Sequence, residues 1–193
     1  MGEAANHPKL PATAYAVLGL LSFGRELSGY DLKKWADSSL RFFYWSPAVS
    51  QIYGELKRLD ELGYVTSRDV PQDDLRNKRV YRISDTGREA LRRWVEQEEV
   101  EPPVLKHSPL LRVWLGHLTE PARIRDLLHA HRANTEQLME DARKAEAVAR
   151  NNPDWYYPEL VTRFAMRHFE AELQLVDALL AELDTAEVRA PRS

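Results

Sequence analysis

Apolar residues recur at helical spacing in the segment SPAVSQIYGELKRLDELGYV, which runs from Ser46 to Val65. Ser46 can cap the first turn, and Pro47 suits the first helical position because an N–H group there would stay unpaired. Gly63 suits the left-handed residue that ends a helix. The pattern therefore predicts a helix from Ser46 to Gly63. Its buried stripe consists of Val49, Ile52, Tyr53, Leu56 and Leu59.

The opposite face of this predicted helix carries small and polar residues instead of a row of charges. At about 100° per residue, that face holds Pro47, Ser50, Gln51, Gly54 and Arg58. Short hydrogen-bonding side chains suit a surface that presses against a flat polar partner, and a DNA major groove fits that description. A merely solvated helix is the alternative interpretation of this segment.

Two further helices are predicted before it. The segment Thr13–Phe23 is almost wholly apolar, which favours a buried helix. A short helix is predicted to start at Ser28, because Ser28 and Asp31 have the spacing of a capping box. Three helices are therefore expected within about the first sixty residues.

A β-hairpin and a fourth helix are predicted to follow. Short extended runs at 65–68 and 79–83 flank the sequence DVPQDDLRNK, whose proline, aspartates and asparagine favour a loop. Thr86 and Glu89 have capping-box spacing and predict a helix that runs through Trp94. Three helices, a hairpin and a further helix is the order of a winged helix-turn-helix.

Basic residues crowd the return strand of this hairpin and alternate with apolar ones. Guanidinium groups there are suited to DNA phosphates, which fix register without reading sequence. The alternative is a solvated turn whose arginines pair with Asp69, Asp73 and Asp74. Together the helix and hairpin predict these DNA-binding residues: Ser46, Ser50, Gln51, Tyr53, Lys57, Arg58, Arg76, Lys78, Arg79 and Arg82.

The second half of the chain contains two long helical patterns with apolar or small residues alternately three and four apart. Such spacing predicts a coiled-coil-like seam and hence a homodimer. The alternative is two amphipathic helices that pack only within one chain. The first seam contains Ile124, Leu128, His131, Thr135, Leu138, Ala142, Ala145 and Ala149. The second contains Phe169, Leu173, Val176, Leu180 and Leu183.

Composition and charge narrow the class of protein. The 193 residues include no cysteine, which excludes disulfides and thiolate chemistry. No signal peptide and no membrane-spanning stretch is recognisable, so we expect a cytoplasmic protein without membrane contact. Residues 1–93 carry a net charge of +3 and residues 94–193 a net charge of −6. A basic first half joined to an acidic second half suits a protein whose first half meets an anionic partner.

The sequence offers no pattern for an enzyme, a cofactor or a metal. It has no nucleophile elbow, phosphate-binding glycine loop or H-E-x-x-H pair. His129 and His131 are two positions apart and point to different helix faces, so they cannot chelate together. His168 and Glu172 are four apart, a spacing typical of a surface contact. His131, within the first seam, is interpreted as a satisfied buried polar residue.

Aromatic residues are frequent, with five tryptophans in the chain. Aromatic side chains between a DNA-binding half and a dimerising half could line a pocket for a small aromatic or apolar effector. Ordinary core and interface packing is the alternative interpretation. The candidate pocket residues are Trp45, Trp94, Trp114, Trp155 and Tyr156.

Three segments of the chain resemble the PadR family of transcriptional regulators. YGELKRLDELGYV and KRVYRISDTGREAL are similar to the family's helix end and to its basic-aromatic wing. FYWSPAVSQIY and SPLLRVWLGHL resemble the longer members, including AphA-like virulence activators, which carry a C-terminal helical domain. Gly54 departs from the family pattern, which usually has proline there. The resemblance implies a homodimer that binds an operator, usually as a repressor whose affinity a small molecule changes.

These observations predict a mainly α-helical protein with a small β-hairpin. We expect a flexible N-terminal tail over 1–11, a winged helix-turn-helix DNA-binding domain over 12–100, a helical dimerisation domain over 101–185 and a flexible C-terminal tail over 186–193. The predicted function is a regulator that binds an inverted-repeat operator in double-stranded DNA. The alternative is a winged-helix protein-interaction module whose basic wing binds an acidic protein.

Overall fold

The structure is a computed structural model that describes residues 9–72 and 75–185, without the side chains of 72 and 75–77. It divides into two compact units, Met1–Glu101 and Pro102–Ser193. The predicted C-terminal tail and most of the predicted N-terminal tail lie outside the described residues. Along the described part of the chain, no helix is long and apolar enough to cross a membrane.

The first unit follows the predicted order of three helices, a hairpin and a helix. Its elements are α1 (Ala12–Ser22), α2 (Gly29–Ser38), α3 (Val49–Glu61), β1 (Val65–Gln72), β2 (Leu75–Ile83) and α4 (Asp85–Gln97). A short 3-10 turn at Leu40–Phe42 follows α2. The hydrophobic core lies between α1, α2, α3 and the hairpin, and its fully buried leucines are Leu18, Leu21, Leu32, Leu56 and Leu59. The winged helix-turn-helix prediction is confirmed.

The predicted N-terminal tail is wrong at its inner end. Leu10 is buried in the core of the first unit, and α1 begins two residues later at Ala12. The backbone carbonyl of Pro11 accepts a hydrogen bond from the N–H of Ala14 at 2.9 Å. The chain is therefore anchored by apolar burial and by helix formation from Leu10 onward.

One predicted helix cap is confirmed and one is wrong. The N–H of Asp31 donates to Ser28 Oγ at 3.2 Å, and the N–H of Ser28 donates to Asp31 Oδ2 at 3.0 Å, which completes the capping box of α2. The cap of α4 is Ser84 and not Thr86, because Ser84 Oγ accepts from the N–H of Gly87 at 3.0 Å. The Ser84 hydroxyl also donates to the carbonyl of Gly63 at 2.7 Å.

The start of α3 differs from the prediction. The helix begins at Val49, and the N–H of Ala48 donates to the side-chain carbonyl of Gln51 at 2.8 Å. Ser46 does not cap it, because its hydroxyl donates to Asp37 Oδ1 at 2.6 Å and accepts from Lys33 Nζ at 3.0 Å. Gly63 adopts a positive φ of 69°, as predicted for the end of this helix.

The hairpin is longer than predicted. Residues 69–72 and 75–78, assigned to a loop from their composition, extend the two antiparallel strands. Pairing continues from Val65 opposite Ile83 to Gln72 opposite Leu75, with an irregularity between Val70 and Gln72. Pro71 occupies that irregularity, where a residue without an N–H group interrupts the ladder least.

The second unit is a pair of long helices with a short helix beside them. Its elements are α5 (Ser108–Trp114), α6 (Pro121–Arg150) and α7 (Tyr156–Thr185), with 3-10 turns at Gly116–Leu118 and Pro153–Trp155. Ion pairs join Arg125 to Asp184 at 2.9 Å and Arg132 to Asp177 at 2.7 Å. Since one number rises as the other falls, α6 and α7 run antiparallel.

The two predicted dimerisation seams cover each other within this unit. Ile124 and Leu128 of α6 form a buried cluster with Val176 and Leu180 of α7. Phe169 is also buried, whereas Leu138 and Leu173 are partly exposed. The seams therefore need no second chain to be buried, and the argument from their length to a dimer is wrong.

The first testable prediction concerns Gly87 at the start of α4. A Cβ atom at this position would lie 2.1 Å from the backbone carbonyl oxygen of Tyr64, which cannot rotate away. Gly87→Ala should therefore lower the free energy of unfolding by about 1–3 kcal/mol, measured by urea denaturation.

Gly54 provides the matched control for this substitution. It also lies in a helix, but a Cβ there would meet no atom within 4 Å. Gly54→Ala should raise the free energy of unfolding by up to about 1 kcal/mol, because alanine favours the helix over the unfolded chain. Equal effects of the two substitutions would contradict the close packing at Gly87.

Candidate DNA interface

The outer face of α3 is a continuous exposed surface of small and polar residues. Ile52, Leu56 and Leu59 are buried and attach the helix to the core of the first unit. The opposite side carries exposed residues, as predicted: Ser50, Gln51, Gly54, Lys57 and Arg58. We call this set the α3 outer face. Because Gly54 has no side chain, a partner can approach the backbone closely at its centre.

Two residues assigned to the buried stripe of α3 are half exposed. Val49 is 46% exposed and Tyr53 is 48% exposed. The core accommodates only a narrow stripe, so these two side chains flank the α3 outer face. The Tyr53 ring packs on Gly29 of α2, where a Cβ atom would lie 2.6 Å from the ring. Tyr53 is therefore held in place while half of it stays accessible.

Gln51 has a structural role that its sequence position does not indicate. Its side-chain carbonyl accepts the hydrogen bond from the N–H of Ala48 and so caps α3. This contact occupies the acceptor of the amide and leaves its two N–H donors without a hydrogen-bond partner among the described residues. The residue is exposed and lies in the first turn of the helix.

Ser46 is removed from the α3 outer face by its hydrogen bonds. Its hydroxyl joins Lys33 and Asp37 of α2, three residues before α3 begins. Burial is a minor opposing effect on Asp37, whose pKa is lowered mainly by the hydrogen bond from Lys33 and then by that from Ser46. Ser46 therefore fixes the connection between α2 and α3.

The cations of the hairpin lie close to carboxylates of the preceding elements. Lys78 Nζ lies 2.8 Å from Asp31 Oδ2, and the Arg79 guanidinium lies 3.0 Å from Asp60 Oδ2. Arg68 of the outgoing strand pairs with Glu26. We call these three contacts the hairpin ion pairs. Sequence reasoning expected aspartates of the loop as alternative partners, but the partners belong to α2, to α3 and to the segment before α2.

Two of these acids have lowered pKa values. For Asp31, burial raises the pKa, but hydrogen bonds from Lys78 and Ser28 outweigh burial and bring the pKa below its ordinary value. For Glu26, the hydrogen bond from Arg68 is the main cause of a lowered pKa. Both carboxylates are therefore ionised at neutral pH, and their ion pairs are lost only as the pH falls toward these lowered values.

The remaining predicted cations differ in their partners. Arg82 is exposed and has no carboxylate within 4.0 Å among the residues that the structure describes. Lys57 lies 3.9 Å from Glu61 and Arg58 lies 3.6 Å from Glu55, which are loose contacts within one helix. The side chain of Arg76 lies outside the described residues. Exposed pairs of this kind contribute little to stability, so these cations can exchange partners readily.

The five candidate effector residues are divided between the two units. In the first unit, the Trp45 ring lies 4.1 Å from that of Tyr44, and the Trp94 ring stacks on Tyr15 at 4.6 Å. In the second unit, Trp114 is 77% exposed and Tyr156 lies edge-on to Tyr157 at 5.5 Å. Trp155 belongs to the 3-10 turn before α7. Each ring therefore has its own local setting, and a shared effector site stays a prediction.

Sequence reasoning missed the acids that position the hairpin. Glu26, Asp31 and Asp60 are 42, 47 and 19 residues away from their partners Arg68, Lys78 and Arg79. No local spacing connects groups at such separations. A signal was nevertheless present, because acids in a half that carries a net positive charge must lie near its cations once the chain is compact.

Two family descriptions match the chain in succession. Residues 17–93 match the Transcriptional regulator PadR-like family, and residues 105–184 match the family described as Virulence activator alpha C-term. The negative transcriptional regulator PadR of Bacillus subtilis is 30% identical over 178 residues, which is 88% of this chain and 96% of the relative.

Solved structures show the same likeness. The crystal structure of Bacillus subtilis PadR in complex with operator DNA has a TM-score of 0.74 at 27% identity and covers 90% of this chain and 100% of its own. The same protein in complex with p-coumaric acid has a TM-score of 0.66 at 26% identity, with coverages of 93% and 100%. The Vibrio cholerae virulence activator AphA has a TM-score of 0.65 at 25% identity, with coverages of 90% and 98%.

These matches cover both units and place the chain among transcriptional regulators, not among enzymes or protein-interaction modules. The matching regions include the α3 outer face, the hairpin and both long helices. The chain belongs to the PadR-like family of transcriptional regulators.

Proposed function

We propose that the protein is a repressor that binds operator DNA as a homodimer, with α3 reading bases and the hairpin holding phosphates. The observation that carries this proposal is the α3 outer face, a small polar surface on a helix fixed by the core. It is supported by the likeness to Bacillus subtilis PadR, which was crystallised with operator DNA and is named a negative regulator. Such a protein acts in the cytoplasm, where bacterial operators are found.

Reading by α3 requires its first turns to enter a major groove. Ser50 and Gln51 are exposed in the first turn, where recognition helices meet base edges. The two amide N–H groups of Gln51 can donate to a base while its carbonyl still caps the helix. A paired contact with adenine would need the carbonyl as well, so that Gln51 would exchange its capping bond for the adenine amino group.

Holding by the hairpin requires its cations to turn from carboxylates to phosphates. Lys78 and Arg79 are already fixed near α2 and α3 by Asp31 and Asp60. This preorganisation places them beside the α3 outer face before DNA arrives. Arg82, which has no carboxylate partner among the described residues, requires no exchange. Phosphate contacts of this kind would set the register of α3 without reading sequence.

The prediction for the reading helix concerns Gln51. An operator is first isolated from the DNA upstream of the gene by band retardation against excess nonspecific competitor. Gln51→Ala should then lower discrimination by about 1–3 kcal/mol at one base pair in each half-site, measured by affinities for single-base operator variants. The same loss at every position would indicate a damaged helix and not a lost reading contact.

Gln51→Glu is the control for the cap. A glutamate carboxylate can still accept the N–H of Ala48, but it has no N–H group to donate to a base. Gln51→Glu should therefore keep the thermal stability of the wild type while its base preference changes. If both variants keep the wild-type preference, Gln51 does not read DNA.

The prediction for the hairpin concerns Arg79. Arg79→Ala should weaken binding to all sequences alike and reduce the slope of log K against log salt by about one per contact, hence by about two in a dimer. Arg143 supplies the control, because it is an exposed arginine of the second unit that pairs with Glu140 in its own helix. Arg143→Ala should leave the slope unchanged. A changed base preference in Arg79→Ala would contradict the assignment of Arg79 to phosphate.

A second apolar stripe on α7 supports the homodimer. Tyr157 is 76% exposed, Phe164 67% and Leu175 63%, and at 100° per residue the three lie within about 20° of one another. The buried stripe of Phe169, Val176 and Leu180 lies on another side of the helix. Large exposed apolar side chains in one line are typical of an interaction surface. We assign this stripe to contact with a second copy of the chain.

The prediction for the dimer concerns Phe164. Phe164→Glu should shift the chain from dimer to monomer in light scattering, because a buried unpaired carboxylate opposes association. Gln174→Glu adds the same charge to an exposed position on another side of α7 and should leave the dimer intact. Truncation of residues 154–193 is less informative than the point variants, since it also uncovers the buried face of α6. A dimer that persists in Phe164→Glu would contradict the assigned surface.

A two-fold dimer would present two copies of α3 to successive major grooves, roughly 34 Å apart or a multiple of it. The operator should therefore be an inverted repeat. An aromatic effector is the further part of the proposal. It is supported by the complex of Bacillus subtilis PadR with p-coumaric acid and by the aromatic side chains of both units. Small aromatic carboxylic acids are accordingly the first class of effector to test.

A further inference from the structure

Two histidines and a glutamate meet in the second unit, outside every residue set discussed above. His107 precedes α5, His131 lies on α6 and Glu172 lies on α7. The Nε2 atoms of His107 and His131 lie 2.7 Å and 2.8 Å from the same oxygen, Oε1 of Glu172. All three side chains are mostly buried, with 14%, 19% and 17% of their surface exposed.

We infer that His107, His131 and Glu172 form a binding site for one divalent transition-metal ion, with Zn²⁺ as the best fit. Their three ligand atoms lie within 4.8 Å of one another. Two imidazoles and one carboxylate form the ligand set of three-coordinate protein zinc sites, which leave a fourth position for water. Imidazole nitrogen disfavours Mg²⁺ and Ca²⁺, which prefer oxygen ligands.

The geometry requires little movement to accept the ion. Around a tetrahedral Zn²⁺ with bonds near 2.0–2.2 Å, neighbouring ligand atoms lie about 3.4 Å apart. The two Nε2 atoms therefore need to withdraw from Oε1 by roughly 0.6 Å, which small side-chain rotations provide. The two imidazole rings already lie edge to face with centroids 5.0 Å apart, so both nitrogens point into one space.

The carboxylate is available as an anion. Burial raises the pKa of Glu172, but hydrogen bonds from His131 and His107 outweigh burial and lower that pKa below its ordinary value. A half-buried carboxylate that is ionised without an adjacent lysine or arginine is suited to a cation. The ion would replace two hydrogen bonds by three coordinate bonds at the same centre.

His107 must change one hydrogen bond when the ion binds. Its Nδ1 accepts the N–H of Leu110 at 3.1 Å, so the proton of the neutral ring is on Nε2. Coordination through Nε2 expels that proton, and Nδ1 takes up a proton in its place. The N–H of Leu110 then loses its acceptor and turns to water, since this contact is exposed. One neutral hydrogen bond at the start of α5 is exchanged for a metal bond.

Sequence analysis predicts no metal site, because the ligands are far apart in the chain. Glu172 is 65 residues from His107 and 41 from His131. Only His168, which is four residues from Glu172, has a recognisable spacing. The structure instead joins α5, α6 and α7 at one point, so that an ion there would tie the short helix to the long pair.

The experiment is a titration of the full-length, tag-free protein with ZnCl₂ after removal of metal with EDTA. Calorimetry should show one Zn²⁺ per chain, and an excess of about 100 times the Kd should raise Tm by about 5–10 °C. Glu172→Gln and His131→Asn should lower Zn²⁺ affinity by more than the roughly 10–100-fold that loss of an outer-shell partner costs. His129→Asn and His168→Asn, at exposed positions of α6 and α7, should bind as the wild type does.

Co²⁺ provides a second measurement that does not depend on the folding of any variant. Co²⁺ bound to the wild type should give the intense visible absorption of a tetrahedral site, and Zn²⁺ should displace it. Absence of Zn²⁺ binding to the wild type, binding that survives in both Glu172→Gln and His131→Asn, or a Co²⁺ spectrum like that of the aqueous ion would each overturn the inference. Neither measurement uses DNA, so the proposed repressor function is tested separately.

Discussion

The hairpin and the α3 outer face depend on one close contact between α4 and the chain that leaves α3. The backbone of Gly87 packs against the carbonyl of Tyr64 so closely that no side chain fits between them. The same carbonyl accepts the N–H of Ser84 at 3.0 Å, and the Ser84 hydroxyl donates to the carbonyl of Gly63. The end of α3, the start of β1 and the start of α4 therefore meet at one point. Any change in this spacing would rotate the hairpin away from α3.

The hairpin ion pairs add a second constraint that acts on side chains instead of backbone. Long flexible cations lose much conformational freedom when they bind phosphate. Asp31 and Asp60 restrict Lys78 and Arg79 beforehand, so part of this loss has already occurred in the free protein. The cost is competition, since each carboxylate also attracts its cation. Affinity for any polyanion is then set by the difference between two similar electrostatic attractions.

The sequence predicts the order of elements because local chemistry decides it. The Ser28–Asp31 capping box and the left-handed Gly63 depend on neighbours within a few residues, and both are confirmed. Tertiary contacts decide what was wrong. Ser46 is drawn to Lys33 and Asp37, and Ser84 caps α4 because its hydroxyl also reaches Gly63. For the same reason, spacing identified the α3 outer face but could not identify Glu26 or the cluster around Glu172.

The two apolar stripes of α7 have a consequence for how this protein can evolve. The stripe that contains Val176 and Leu180 holds α7 against α6, whereas the stripe that contains Tyr157 and Phe164 faces outward. Because they lie on different sides of one helix, mutations in one leave the other largely unchanged. Duplicated copies of such a gene could therefore diverge in the outward stripe and cease to pair with each other, while each product keeps its folded helices. Selection can in this way insulate paralogous regulators from one another at little cost in stability.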